Sequence, residues 1–582
     1  MKKTPDHLKF DKRFFRDFWY LLKPYWVSEE KWKALSLLTL QIIGSNIGVR
    51  VSVALNTLNK TFYDALQNFN KTVLLTSLFH FILLIGLLLL AYGYSFYFNS
   101  LLNIRWRKWL TQNYLKRWLH DHRHYHMQLS NNKIDNPDQR ISEDLESFSE
   151  KTLSVFFMIS ESLMRLISFG YILWNLSGSL SIPIGKTHIE IPGYLLFGAF
   201  FYAVLGTYIT GWMGKKLASL DYQQQYFNAD FRFALVRLRE SSEQIALYRG
   251  EEAENNKCKY LFSKIFSNFM NIAMLRKRLM FFTSGYSTTT YLLGTFMAIP
   301  LYLQKKVQLG GMMQISGAFS SVIYSFSILV NGFSLFAEWR AVIFRLTEFN
   351  HFIEKSNKIP SPPLLTPYDG NDIILRDFTL FLPHGEPLMR QINLTFKTGE
   401  SYLLKGASGL GKSTLLRALA NLWPYGEGQI YVPKNKKIFF LPQKPYLPLG
   451  SLKEILCYPD YKDIQNENLH EALQYSFLSK FQSRLDEIRN WAHELSLGEQ
   501  QMVAFSRIFL QKPNIVFLDE ATSALDEETE LKLYQNLKKY LPEAMLISIG
   551  HRSSLHSFHE NIIMLSRYTE EGRAPKLATG TE

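Results

Sequence analysis

Six long apolar stretches dominate the first 340 positions, near 34 to 57, 73 to 99, 152 to 176, 193 to 213, 280 to 303 and 313 to 336. Each is about long enough to cross a bilayer, which takes roughly 20 helical residues per span. Ahead of them Phe14, Phe15, Phe18, Trp19, Leu22, Tyr25 and Trp26 interleave with Lys12, Arg13, Arg16 and Lys23. That alternation predicts an amphipathic helix lying in a membrane interface, and it would also suit a soluble core helix. The two long connections, after the second and the fourth stretch, stay helix-like through polar sequence, so the spanning helices are expected to continue past the headgroups as stalks. Past residue 370 the pattern changes. Residues 372 to 404 alternate as short strands around a turn at Pro383-His384-Gly385, and strands then alternate with helices, which predicts an α/β domain with a covered sheet. A helix-rich insertion interrupts it near 450 to 494.

Pro360, Pro362, Pro363 and Pro367 break the helical pattern between the two halves and read as a linker. The expected fold class is therefore multidomain, an all-α six-helix membrane region followed by an α/β domain. The expected divisions are an interfacial segment at 1–33, the six-span region at 34–355, the linker at 356–370, the α/β domain at 371–566 and a flexible tail at 567–582.

Composition and charge sharpen this division. At 582 residues the chain is too long for one core, and its mean hydropathy of −0.08 is the average of one greasy half and one soluble half. The formal charge of +14 is compatible with nucleic acid or with a membrane surface. Its distribution decides for the membrane: Lys and Arg crowd 1 to 33, 105 to 151 and 215 to 280, each beside an apolar stretch, whereas 58 to 72, 177 to 192 and 304 to 312 carry few. By the positive-inside rule both termini and the α/β half face the cytoplasm. Only Cys258 and Cys457 are present, which rules out a disulfide framework and fits a reducing compartment. The first 30 residues are charged and aromatic without an apolar core, so no cleavable leader is expected.

The candidate chemistry lies in the second half. Gly406-Ala407-Ser408-Gly409-Leu410-Gly411-Lys412-Ser413-Thr414 follows a strand-like run and opens a helix-like one. Such a loop turns backbone N–H groups inward around a triphosphate, Lys412 can reach the outer phosphates, and the Ser413 hydroxyl can bind Mg²⁺. Gln443, in the loop Leu441-Pro-Gln443-Lys-Pro-Tyr446, could bind Mg²⁺ or the attacking water, or merely contact solvent. Leu495-Ser496-Leu497-Gly498-Glu499 contains a Ser-x-x-Glu capping box and could simply start a helix well. The same capped N-terminus presents free N–H groups to an anion, so it could hold a γ-phosphate. Ile515 to Glu520 is an apolar strand ending in two carboxylates, where Asp519 would hold Mg²⁺ and Glu520 would polarise water. Ser523-Ala-Leu-Asp526 follows, and a last strand ends in His551, placed to hydrogen-bond a terminal phosphate.

Polar features of the first half have plainer alternatives. Asn136-Pro137-Asp138-Gln139 reads as a helix start with a variant capping box. Glu240 and Glu243 place two carboxylates on one turn ahead of an apolar run, as on a solvated helix face. Glu161 and Arg165 share one face of the third span, either as a functional site or as a self-satisfied ion pair. Arg50 can snorkel, and Glu338 and Arg340 sit where the sixth helix leaves the membrane.

Taken in order, the glycine loop, Gln443, Leu-Ser-x-Gly, Asp-Glu, Ser-Ala-Leu-Asp and His551 resemble the nucleotide-binding domain of ABC transporters. The resemblance implies that Lys412, Ser413, Gln443, Asp519, Glu520 and His551 form half of an ATP site with Mg²⁺ at Ser413, Gln443 and Asp519. Ser496, Gly498 and Glu499 would face the nucleotide of a second chain. Asn136-Pro-Asp-Gln-Arg140-Ile, Asp230 to Arg237 and the Leu-Ser-Leu-Gly-Glu variant are similar to the YddA-type bacterial transporters, the SbmA/BacA-like peptide transporters and the eukaryotic ABCD half-transporters. The likeness runs from about residue 14 to 566 and implies a homodimeric ATP-driven transporter of the bacterial inner membrane, whose two inner-loop motifs press on the ATPase domain.

The cargo implied is a small molecule or a peptide, with cobalamin or peptide uptake favoured; acyl-CoA transport, or a membrane ATPase that senses without transporting, stays open. No nucleic-acid partner is expected. Three positions depart from the pattern: Leu382 stands where an adenine-stacking aromatic is usual, with Phe381 facing the other way; Leu497 replaces a glycine; and Met502 replaces an arginine.

Overall fold

The computed structural model describes residues 12–129, 136–184, 187–214, 216–328, 332–356, 365–460 and 464–569. The first eleven residues, most of the linker and the end of the tail lie outside the described residues. The chain divides into two compact units, Met1–Lys116 with Asp135–Asn350, and Arg117–Ile134 with His351–Glu582.

In the helical unit, Lys31–Gln67, Lys71–Leu119, Leu145–Ser177, Tyr194–Gly214, Glu251–Leu303 and the pair Leu309–Phe326 and Phe333–Ser356 cover the six apolar stretches. Among the described residues four helices are long and apolar enough to cross a membrane, those within Lys31–Gln67, Lys71–Leu129, Pro137–Ser177 and Tyr194–Glu240. The last two expected spans are helical but interleaved with Ser, Thr and Gly, which lowers their apolarity. The helix Lys71–Leu119 makes the solvent plain. Its most apolar window is only 6% buried, and Leu75, Phe79, Ile82, Leu89 and Leu90 point outward, as suits a surface bathed in lipid. Glu251–Leu303 has 53 residues, about 80 Å at 1.5 Å per residue, against a hydrocarbon layer of about 30 Å. Most of that helix therefore projects beyond any bilayer it crosses, as the stalk reading requires.

Side chains of the first spanning helix cap the sixth. Asp64 accepts from the Gly310 N–H at 2.8 Å and Gln67 from the Leu309 N–H at 2.8 Å, so two orphan donors at that helix start are satisfied. The amphipathic helix Lys12–Trp26 turns Phe14 and Phe18 onto Trp339 and stacks Tyr25 on Trp106, while Phe15 and Trp19 face outward. Between the third and fourth spans the expected plain connection is an antiparallel hairpin, β1 (Ser179–Ile184) with β2 (Thr187–Pro192).

Two polar readings change, and of the two alternatives for Glu161 and Arg165 the ion pair is present. Gln139 does not reach back to Asn136; its amide donates forward to Glu143 at 2.9 Å. The cause is Asn136 itself, whose left-handed backbone (φ +46°) departs from the extended conformation that side-chain capping needs. Arg140, one residue on, joins Arg345 on the buried carboxylate of Asp144. Glu240 ends the helix Leu217–Glu240 and Glu243 lies in the next one, Ser242–Leu247, so they do not share a turn. Glu161 and Arg165 pair with each other at 2.8 Å, and Arg165 also donates to the Tyr92 hydroxyl.

The second unit holds two sheets. Strands β3 (Leu365–Tyr368), β4 (Ile373–Phe381), β5 (Pro387–Phe396) and β7 (Gly426–Pro433) form one, in the order β3-β7-β4-β5. Pro367, expected in the linker, is part of β3, which runs parallel to β7 at the sheet edge where a missing N–H is tolerated. The other sheet joins β6 (Ser401–Lys405), β8 (Ile438–Leu441), β11 (Ile515–Asp519), β12 (Met545–Ile549) and β13 (Asn561–Met564), all parallel, in the order β13-β6-β12-β11-β8. β6, β11 and β12 are buried along nearly their whole length, which is why they read as continuous apolar runs. The insertion at 450–494, which contains the short strands β9 (Gly450–Ser451) and β10 (Ile488–Arg489), packs its helices around its own core of Leu452, Ile455, Leu469, Leu473 and Trp491.

Candidate active site

The glycine loop joins β6 to the helix Lys412–Leu419. Gly409 and Gly411 have φ of +84° and +89°, a backbone that other residues rarely adopt, and a Cβ on Gly411 would lie 2.3 Å from Leu388 Cδ2. The loop is thus shaped by glycine at the two places where it must curl over a helix N-terminus. Ala407, Ser408 and Gly409 form its exposed tip, Leu410 tucks its side chain under Gly406, and Thr414 sits in the first helical turn. A cavity of about 430 Å³ opens beside the loop, lined by Gly406, Ala407, Gly550 and His551.

Lys412 is buried, and its ammonium donates to the carbonyls of Gly406 (2.9 Å) and Ala407 (3.1 Å) and lies 3.2 Å from His551 Nε2. His551 Nε2 is in turn 3.3 Å from Glu520 Oε1, and Glu520 Oε2 accepts from the Gln443 amide at 2.9 Å. The line Lys412, His551, Glu520, Gln443 follows the strand order β6-β12-β11-β8, because Gln443, Glu520 and His551 come just past the carboxyl ends of β8, β11 and β12 and the Lys412 ammonium reaches back to the loop that leaves β6. Beside it the Ser413 hydroxyl donates to Asp519 at 3.0 Å. Burial pushes the Asp519 carboxyl up, Ser413 opposes that, and the neighbouring Glu520 adds to it; the net direction is upward. Such a carboxylate gains from a cation placed against it. Glu520 has φ +47°, so the chain turns sharply at this carboxylate, with its N–H held by the Ile549 carbonyl at 3.1 Å.

Ser496, Gly498 and Glu499 stand apart from this group. Ser496 Oγ accepts from the Glu499 N–H at 3.3 Å, Glu499 accepts from the Ser496 N–H at 2.9 Å, and Lys480 pairs with Glu499. This is the capping box expected at the start of the helix Leu497–Gln511. Among the described residues, the side-chain hydrogen bonds of Ser496 and Glu499 run to one another and to Lys480, not to the glycine loop.

Gln501 escaped sequence reasoning. It is 1% exposed; its amide donates to the Gln443 carbonyl (3.1 Å) and Ser523 Oγ (3.2 Å), and its oxygen accepts from the Ala524 N–H (3.0 Å). It therefore ties the Gln443 loop to the Ser523–Asp526 turn. The available signal was a polar residue three and four positions before Ala504 and Phe505, on the apolar face of its helix. The connection between the second and third apolar stretches also joins this unit, upstream of the motif singled out in it: Leu129 packs on the core formed by Leu419, Trp423 and neighbours.

A glycine loop on a helix N-terminus, a carboxylate pair and a histidine at one edge of a parallel sheet, joined to a helical region with apolar outward faces, define a membrane-linked P-loop ATPase. Residues 21–303 match the family described as ABC transporter transmembrane region 2, and residues 389–523 match the family described as ABC transporter. The chain is 32% identical over 550 residues to the inner membrane ABC transporter ATP-binding protein YddA of Escherichia coli, covering 94% of this chain and 96% of that one. It is 32% identical over 640 residues to ABC transporter D family member 2, chloroplastic, of Arabidopsis thaliana, covering 97% and 87%. To the human lysosomal cobalamin transporter ABCD4 it is 26% identical over 604 residues, covering 96% and 95%.

The chain belongs to the ABC transporter family, among the half-transporters that fuse one membrane region to one ATPase domain. It is a membrane protein that binds ATP, and its ATPase activity is coupled to transport.

Proposed function

We propose that two copies of this chain form an ATP-driven transporter in a bacterial cytoplasmic membrane, each crossing it six times with both termini and the ATPase domain inside. The observation that carries the reading is the line Lys412, His551, Glu520, Gln443 along one sheet edge, with Ser413 and Asp519 paired beside it. Lys412 exchanges its two loop carbonyls for the outer phosphates of ATP, which the N–H groups from Gly406 to Thr414 surround. Ser413, Asp519 and Gln443 would hold Mg²⁺, which would supply charge neutralisation at the phosphates. The donors fit: all three offer the hard oxygens that Mg²⁺ prefers. Among the described residues no cluster of three His, Cys, Asp or Glu competes for a metal. Glu520 orients and polarises the attacking water, and His551 hydrogen-bonds the terminal phosphate from its place between Lys412 and Glu520.

Ser496 and Gly498 of the second copy, at a capped helix start, close the site over the γ-phosphate. Glu499 contributes by holding that helix start open through the Ser496 box. The inner-loop segments Asn136–Arg140 and Glu240–Tyr248 carry the resulting motion to the membrane helices.

For the cargo, cobalamin or a peptide taken up into the cell fits best; the support is the human relative named as a cobalamin transporter, alike over 96% of this chain. Two experiments test the reading. Glu520→Gln in the purified protein should lower ATP hydrolysis by about 10²-fold or more, and a wild-type rate would refute the role of Glu520. In reconstituted vesicles, ATP should drive uptake of cobalamin or peptide; turnover stimulated by acyl-CoA alone would replace this cargo, and ATP hydrolysis without movement of any solute would favour a sensor.

A further inference from the structure

Beneath the turn that carries Glu520, a second carboxylate lies wholly inside the protein. Glu530, in the first turn of the helix Glu527–Tyr540, is 1% exposed. It accepts from Thr522 Oγ1 at 2.5 Å and from Ser554 Oγ at 2.9 Å, and the Arg552 guanidinium stands 3.5 Å away. Arg552 also donates to the Ser523 carbonyl at 3.3 Å. Thr522 and Ser523 come two and three residues after Glu520, and Arg552 and Ser554 come one and three residues after His551. The carboxylate therefore touches both catalytic turns and neither catalytic side chain.

The same polar layer continues one helical turn on. The Tyr534 hydroxyl donates to Ser548 Oγ at 3.3 Å, His559 Nε2 meets that oxygen at 2.8 Å, and Ser548 lies three residues before His551. From the opposite side Gln501 holds Ser523 and Ala524. Between these supports Glu520 keeps its left-handed backbone, a conformation that persists only where the surroundings impose it. A buried carboxylate is costly unless several partners satisfy it, and here those partners all come from the two turns.

We propose that Glu530 is a positioning residue for ATP hydrolysis: it sets the spacing between the turn after β11 and the turn after β12, so that Glu520 and His551 reach the terminal phosphate together. The inference rests on the roles assigned to Glu520 and His551 above. The glycine loop, not this network, holds the nucleotide, so Glu530 governs turnover and leaves ATP affinity alone.

The test uses the full-length protein in lipid nanodiscs, with steady-state Mg-ATP hydrolysis, binding of a fluorescent ATP analogue and the melting temperature read side by side. Glu530→Gln should lower kcat about tenfold or more with KM and analogue affinity within about twofold; Ser554→Ala and Thr522→Val should each lower kcat about threefold. The double variant Glu530→Gln with Ser554→Ala should be no slower than Glu530→Gln alone, because both remove one link. Wild-type kcat in Glu530→Gln overturns the proposal, as does a fall in kcat matched by falls in melting temperature and nucleotide affinity. If Glu530→Gln does not fold, Ser554→Ala and Thr522→Val decide by the same criteria. Glu520→Gln run alongside separates the two levels: a wild-type rate there removes the underlying assignment, whereas an inactive Glu520→Gln beside fully active Glu530 variants removes only this one.

Discussion

The two ends of the ATPase unit proposed to meet phosphate are built on opposite plans. At the glycine loop, Lys412, His551, Glu520 and Gln443 hold one another, each brought by a different strand, and Ser413 and Asp519 pair alongside. At the Leu-Ser-x-Gly end, Ser496 and Glu499 satisfy each other within four residues, and Leu497 beside them is half exposed. The first is a tertiary assembly; the second is a local device with its helix N-terminus turned outward and, among the described residues, no side-chain hydrogen bond to the glycine loop. The site proposed above, one such end from each of two chains, would use both as they stand.

The strongest way to break the comparison is to disable each end in turn. Lys412→Ala should abolish ATP binding and lower hydrolysis by at least about 10²-fold, as read by nucleotide-binding fluorescence and phosphate release. Ser496→Arg should leave ATP binding intact and still stop hydrolysis, since it fills the outward-facing end. Mixing the two inactive chains should restore between about a quarter and a half of the wild-type rate, because a mixed dimer keeps one intact pair of ends. No recovery on mixing, with mixed dimers verified by pull-down, would mean that both ends of a site come from one chain.

Acid should separate the two ends more gently. Burial pushes His559 down to about 4 from its ordinary 6.5, so below pH 6.5 an unfolded chain takes a proton that the folded one refuses. Stability from this group is complete above pH 6.5 and is lost as pH falls toward 4, by at most about 1.4 kcal/mol per pH unit. Glu499 behaves differently. Burial raises its carboxyl, but Lys480 and the Ser496 cap outweigh that and hold it below its ordinary 4.5. Its contribution is present above pH 4.5 and lost only below. At pH 5.5, exchange protection corrected for the intrinsic amide rate should therefore fall in residues 545 to 559 and stay unchanged at 496 to 500, and His559→Gln should remove the difference.

The smallest expected effect concerns the base. Leu382, half-buried in the turn closed by its N–H to the Glu386 carbonyl at 2.7 Å, offers no ring face. Leu382→Tyr should tighten ATP by about 1 kcal/mol or slightly more through stacking, roughly a five- to tenfold lower KM with kcat unchanged. An unchanged KM would mean that adenine lies elsewhere.

Much of the candidate site was legible in residue order because its parts are short and their chemistry is local. Gly409 and Gly411 announce a left-handed curl, Ser496 and Glu499 a helix cap, and Ile515 to Glu520 a buried strand ending in acids. Where reading failed, distant contacts were responsible. Gln139 had the spacing of a capping residue, yet the backbone at Asn136 sent it forward to Glu143. Gln501 and Glu530 are polar positions on helices whose partners lie 22 to 58 residues away for Gln501 and as far as 24 for Glu530.

What residue order alone determined are the quantities set by a few neighbouring residues: the apolar stretches, the stalk helices that outrun a bilayer, the glycine curl and the helix cap. The strand order β13-β6-β12-β11-β8 was decided only by tertiary structure, and it is what puts His551 between Lys412 and Glu520. Crossover connections decide which parallel strands become neighbours, and that choice depends on how helices from all along the chain pack against the sheet. The same packing placed Gln501 and Glu530 inside. A polar side chain enters a core only where partners from other segments converge to satisfy it, and no window of sequence contains that convergence.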